Sequence, residues 1–271
     1  MQACRRIEDF AHSVDFGKAA ADYGRFRAGF PQRFFDELER RGVARAGRRA
    51  LDLGTGTGTI ARGLAAIGMD VTGLDPSAEL MAQAEALDRA AAIRVGYRLG
   101  RAESIPYGTA SFELVTAGQC WHWFDRAAAA REARRVLKPG GSLVIAHFDW
   151  LPLPGNVVEA TEALILLFNP GWAGMAGSSG LYPQWLADLR LGGFVDVETF
   201  SFDVDQPYSH EAWRGRIRAS AGVKASLSAA KVRAFDAELA ACLASRFPHE
   251  PLAVPHRVWA AIGMRPSGED R

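Results

Sequence analysis

Along the first 150 positions, short unbroken apolar runs alternate with segments whose apolar residues recur every three or four places. The runs at residues 49–53, Met69–Leu74, Ile93–Leu99, Phe112–Ala117 and Ser142–His147 read as strands buried on both faces. Between them, Ile60–Ala66, Ala78–Ala90 and Arg126–Val136 read as helices, with Ser77 as an N-cap and Lys138-Pro139-Gly140-Gly141 as a stop. Pro31 opens an earlier helix, in which Phe34, Phe35 and Leu38 recur at helical spacing through Arg41. Parallel strands need crossover connections, so strand–helix alternation predicts an α/β fold with a mostly parallel sheet and helices on both faces.

The alternation breaks after Trp150. Residues 151–192 are rich in Pro and Gly, with an apolar helix around Val157–Phe168 and a turn at Gly177–Gly180. A strand at Phe194–Val204, helices near 209–220 and 228–246, and a last strand at Pro255–Ile262 follow. The expected organisation is one domain over 1–271. Its parts are a helical cap at 1–45, a core at 46–150, a lid or substrate insertion at 151–192, and strands and helices completing the sheet at 193–271.

Composition narrows the function classes. The chain has 271 residues, 48% hydrophobic, with a net charge of +1, so a large core is available and no basic face is implied. The arginine pairs, Arg40-Arg41 and Arg134-Arg135 among them, are dispersed as on solvated helix faces. No nucleic-acid partner is expected. Cys4, Cys120 and Cys242 fit neither a disulfide framework nor a zinc spacing, so no metal is expected and a reducing compartment is. No apolar run is long enough to span a bilayer, and the first ten residues lack the apolar stretch of a signal peptide. The expectation is a cytoplasmic protein without a membrane partner, monomeric or homodimeric.

The candidate chemistry sits at residues 51–58, Leu-Asp-Leu-Gly-Thr-Gly-Thr-Gly, where a strand turns into a helix. Gly54 and Gly56 permit a tight turn and close approach of a ligand to the backbone. The dinucleotide fingerprint asks for glycine or alanine three places after the second glycine. Here that place is Thr59, the glycine arrives early at Gly58, and an acid, Asp52, precedes the motif. The spacing argues against a dehydrogenase.

Residues 52–58 resemble motif I of the class I S-adenosylmethionine (SAM)-dependent methyltransferases. The resemblance continues through Asp75 at the end of the second strand, Gly100-Arg101-Ala102-Glu103-Ser104-Ile105-Pro106, Gln119-Cys120-Trp121-His122-Trp123-Phe124-Asp125 and Val136-Leu137-Lys138-Pro139-Gly140-Gly141. It covers roughly residues 20–150 and is closest to the small-molecule branch that includes trans-aconitate and ubiquinone-biosynthesis methyltransferases. It implies a Rossmann-like seven-stranded sheet of order 3-2-1-4-5-7-6 with a helical lid. SAM would be the cofactor, S-adenosylhomocysteine the product, and a small molecule the methyl acceptor.

The resemblance also implies site residues. Gly54, Thr55, Gly56 and Gly58 would carry the donor, with Asp75 on its ribose hydroxyls beside Pro76. Ala102 and Glu103 would face the adenine. Arg101 stands where relatives carry an acid, so either Glu103 replaces that acid or backbone at Ala102 holds the base. Asp52 caps loop amides, holds the methionine amine, or both. Gln119, Tyr23 and Arg27 would line or close over the cofactor. His122 follows the fourth strand, at the carboxyl edge where open α/β sheets bind ligands. A base role is open to it, and pocket lining is the expectation. His147, Trp172 and Tyr182 are candidate substrate contacts. A SAM-binding protein that transfers no methyl, regulatory or cyclase-like, and a protein methylase are the alternatives.

Overall fold

In the computed structural model, residues 29–174, 176–224 and 226–268 are described. In chain order the elements are α1 (Gln32–Arg40), β1 (Arg49–Leu53), α2 (Thr59–Ala66), β2 (Asp70–Asp75), α3 (Ala78–Ala91), β3 (Gly96–Leu99), β4 (Phe112–Gly118), α4 (Arg126–Val136) and β5 (Leu137–Trp150). Then come α5 (Val157–Phe168), α6 (Gln184–Leu191), β6 (Val195–Tyr208), α7 (His210–Arg218), α8 (Ala229–Arg246) and β7 (Leu252–Met264). The sheet order is β3-β2-β1-β4-β5-β7-β6, as the resemblance implies. The pairings of β1 with β2 and β4, of β2 with β3, and of β4 with β5 are parallel.

The described residues divide into two compact units. The first comprises 29–148, 182–202 and 258–268. Its core joins Leu51 and Leu53 of β1, Phe112 and Val115 of β4, Leu143 and Ile145 of β5, the alanine face of α4, and Trp185 and Leu189 of α6. The second comprises 149–181 and 203–257. Val158 and Ile165 of α5 pack there with Trp213 and Ile217 of α7 and Phe235, Leu239 and Leu243 of α8. The stretch 151–192 is therefore divided, with its first part in one unit and Tyr182–Leu191 in the other.

Three differences from the expected elements have physical causes. Strand β3 starts at Gly96 rather than Ile93, because pairing begins only where Thr72 meets Gly96 and Ala92 ends α3 in a left-handed conformation (φ 54°). Strand β5 starts at Leu137 rather than Ser142. The expected glycine turn survives inside it as a register shift, and Gly140 and Gly141 exchange backbone hydrogen bonds with Arg265 at 3.0 and 2.8 Å. Helix α6 was not expected; its Trp185 and Leu189, four apart, turn one face into the core.

Helix α2 lies against α1 where Gly63 meets the Phe35 ring, and a Cβ at residue 63 would collide with that ring. Alanine ordinarily gains about 1 kcal/mol over glycine inside a helix. Overpacking a closed core costs roughly 1–3 kcal/mol. Gly63→Ala is thus expected to lower the melting temperature, and a rise in thermal unfolding measurements would contradict this packing.

Candidate functional site

The carboxyl end of β1 carries Asp52, whose side chain is 2% exposed. Thr55 Oγ1 donates to one carboxylate oxygen at 2.7 Å and Thr116 Oγ1, from β4, to the other at 2.6 Å. The Ala61 backbone amide, at the start of α2, also favours the charged form. Burial outweighs these donors and pushes the Asp52 carboxyl up to about 6. Asp52 therefore ties the glycine loop to β4. Of its two expected roles, backbone and hydroxyl fastening is the one visible in these contacts.

The loop itself turns through left-handed backbone at Gly54, Gly56 and Gly58 (φ 58°, 55° and 75°). A Cβ on Gly54 would stand 2.9 Å from Cys120 Cβ and Sγ. Gly56 is different. Among the described residues, a Cβ there would meet nothing nearer than the Gly54 carbonyl at 4.0 Å. The Gly56 N–H donates to Asp75 Oδ2 and the Ser77 N–H to Oδ1, both at 2.9 Å. Burial raises the Asp75 carboxyl above its ordinary range. An ionised carboxylate offers about four lone-pair positions, so two amide bonds leave capacity for two hydroxyl donors. Pro76 sits between Asp75 and the N-cap Ser77, whose hydroxyl accepts from Leu80 N–H at 3.2 Å.

The segment expected at the adenine begins where Gly100 N–H bonds the Asp75 carbonyl at 3.1 Å. Ala102 is buried. Glu103 accepts from the Asp125 N–H at 3.0 Å, and Asp125 caps α4. That contact bears on the choice between Glu103 and Ala102, because one Glu103 oxygen already serves the helix entry.

At the ends of β4 and β5 the side chains become aromatic. Gln119 adopts left-handed backbone (φ 60°), its N–H bonds the Ala146 carbonyl at 2.8 Å, and its side-chain amide donates to the Phe148 carbonyl. The His122 ring centroid lies 5.8 Å from that of His147. Tyr182 stacks on His147 at 3.8 Å, and Trp185 Nε1 donates to His147 Nε2 at 3.2 Å. An indole nitrogen only donates, so Nε2 carries a lone pair, and neutral His147 holds its proton on Nδ1. Trp121 is buried and donates through Nε1 to Asp188 at 2.9 Å.

Asp52, Gly54–Gly58, Asp75, Pro76, Ala102, Glu103, Gln119, His122, His147 and Tyr182 thus all lie in one unit. Trp172 lies in the other, inside its apolar core, where its ring packs at Gly222. Tyr23 and Arg27 lie outside the described residues. Two contributors were missed. Thr116 sits in a run that reads simply as a buried strand, and Trp185 sits in a helix hidden by its Pro/Gly-rich surroundings. Among the described residues no group of three or more His, Cys, Asp or Glu could hold a metal ion.

Residues 51–145 match the family model described as a methyltransferase domain. The chain is 41% identical over 131 residues to an uncharacterized methyltransferase of Mycobacterium tuberculosis, which covers 48% of this chain and 51% of the relative. It thus spans about half the length of that relative. Among solved structures, a putative type II methyltransferase from Anaeromyxobacter dehalogenans matches with TM-score 0.61 and 24% identity over 90% of this chain and 100% of that one. A phosphoethanolamine N-methyltransferase of Haemonchus contortus matches with TM-score 0.56 and 21% identity over 96% of this chain and 60% of that one. The latter was solved with phosphomonomethylethanolamine and S-adenosylhomocysteine.

The Asp52 environment yields a pH test. Its folded value of about 6 lies above that of an unfolded aspartate, so the folded state takes up the proton first. Stability gained at this residue is complete below about pH 4 and is lost as pH rises through about 6. Relative to Asp52→Asn, the native chain should gain up to about 3 kcal/mol between pH 8 and pH 4. Other carboxylates are common to both proteins and cancel. Urea unfolding of the pair at several pH values measures this; a pH-independent difference would contradict it.

Proposed function

We propose, from the premise that over residues 51–145 the chain belongs to the class I SAM-dependent methyltransferase family, that it transfers a methyl group from SAM to a small-molecule acceptor. The carrying observation is the Asp75 carboxylate, which retains acceptor capacity after binding two amides, beside the Gly56 peptide, whose face is open among the described residues. Asp75 takes the two ribose hydroxyls. Gly54, Thr55, Gly56 and Gly58 form the turn against which the donor lies, with Pro76 at its ribose end. Ala102 and Glu103 border the adenine, and Gln119 the amino-acid end. The acceptor class finds support in the Haemonchus neighbour, which was solved with the small molecule phosphomonomethylethanolamine.

A sulfonium supplies an activated methyl group and its own leaving group when bound. The chain's residues have then to align a nucleophile behind the methyl and exclude water, an arrangement that can contribute roughly 7–11 kcal/mol. His122 and His147, with Tyr182 stacked on the latter, form the aromatic wall at the ends of β4 and β5 against which the acceptor is held. His122 positions rather than deprotonates. The setting is reducing and cytoplasmic, in keeping with three cysteines spaced for neither a disulfide framework nor a zinc site. No helix among the described residues is long and apolar enough to cross a membrane.

Calorimetry should show micromolar binding of SAM or S-adenosylhomocysteine. Asp75→Ala should weaken it at least about tenfold, since tenfold needs only about 1.4 kcal/mol and one charge-assisted bond is worth roughly 1.5–3 kcal/mol. Binding of NADH without response to either SAM species would overturn the reading. Release of S-adenosylhomocysteine across an acceptor panel identifies the substrate. With that acceptor, His122→Asn should raise KM and leave kcat nearly unchanged. A kcat loss on the order of several hundredfold, restored at alkaline pH, would make His122 a general base instead.

A further inference from the structure

Gly58 is a glycine for reasons other than a ligand. Its φ of 75° is left-handed, and a Cβ there would collide with the Tyr97 hydroxyl and stand 3.2 Å from Arg62 Nη1. Tyr97 and Arg62 fill that space with Ala84, and Tyr97 and Arg62 are both tied to Asp88. Arg62, on α2, donates through Nη2 to the Thr57 carbonyl at 2.9 Å and through Nη1 to Asp88 Oδ1 at 2.6 Å. Tyr97, on β3, donates to Asp88 Oδ2 at 2.9 Å. Asp88, near the end of α3, is buried with both oxygens occupied. Burial and the neighbouring carboxylate push the Tyr97 phenol up, so it stays a donor at any physiological pH.

The other restraints on the glycine loop come from different directions. Thr55 N–H bonds the Leu74 carbonyl at 3.1 Å, Gly56 N–H bonds Asp75, and Thr55 Oγ1 bonds Asp52. These act on residues 55 and 56, and the Gly58 N–H donates to the Thr55 carbonyl at 2.8 Å. Among these, the Arg62–Thr57 bond is the side-chain contact on the peptide that leads into α2, holding its carbonyl. A buried ion pair adds little net stability compared with well-packed apolar residues, but its fixed directions hold geometry.

We propose that Arg62, Asp88 and Tyr97 are positioning residues for the cofactor, clamping the Thr57–Gly58 peptide so that the Gly56 face keeps its receptive shape. The inference rests on the SAM reading above. It also explains why the third glycine falls at residue 58: it makes room for the clamp rather than for the donor.

The test is calorimetric titration of S-adenosylhomocysteine into the full chain, its Tyr97→Phe, Asp88→Asn, Arg62→Met and Arg62→Lys variants, and Val136→Ala. Val136→Ala is a buried change in α4, outside the clamp, and serves as a control for lost stability. Tyr97→Phe removes one hydroxyl and is the deciding variant if Asp88→Asn fails to fold. Tyr97→Phe is expected to weaken binding about tenfold, the size of one hydrogen bond to a charged group. Val136→Ala should keep native affinity at a similar loss of melting temperature. Arg62→Lys should recover part of what Arg62→Met loses. Affinity of Tyr97→Phe within about twofold of native would overturn the clamp and leave the cofactor reading standing. Failure of the native chain to bind S-adenosylhomocysteine would overturn the cofactor reading, and the clamp with it.

Discussion

A buried strand that must become a helix within five residues leaves the backbone few routes, and the route taken between β1 and α2 is the constraint on which the site depends. Three residues in left-handed conformation, Gly54, Gly56 and Gly58, make the turn, and each lacks a Cβ for a different reason. At Gly54 the space belongs to Cys120, at Gly58 to Tyr97 and Arg62, and at Gly56 it is open among the described residues. The same turn therefore packs tightly at both ends and exposes one peptide in the middle. The proposed donor site is placed there because the protein's own side chains close the alternatives.

Electrostatics follow from that geometry. Asp52 and Asp75 end adjacent parallel strands, and both carboxyls are raised by burial. They differ in how their oxygens are used. Asp52 receives two hydroxyls from the chain and acts as a fastener between β1, the glycine loop and β4. Asp75 receives two amides and keeps further acceptor capacity. Position in the sheet thus separates a structural carboxylate from one suited to a ligand's hydroxyls.

Much of this was legible in the chain. Unbroken apolar runs marked β1, β2 and β4 because central parallel strands are buried on both faces, and the glycine spacing marked the turn. Legibility failed where long-range contacts decide. Thr116 completes the Asp52 network from 64 positions away. The start of β5 is extended by Arg265, which no local pattern announces. Helix α6, which brings Trp185 to His147, is eight residues long and follows a Pro/Gly-rich stretch whose composition masks its two core positions. Trp172 had the right residue type for a substrate contact, but its surroundings in the core of the second unit are set by packing with Ile165 and Gly222.

The most direct measurement is a crystal structure of the chain grown with S-adenosylhomocysteine. The account predicts both ribose hydroxyls within hydrogen-bond reach, about 2.6–3.0 Å, of the Asp75 carboxylate, with the ligand lying against the Gly56 peptide. The nucleoside found elsewhere, or seated with Asp75 touching only its own backbone amides, would contradict it.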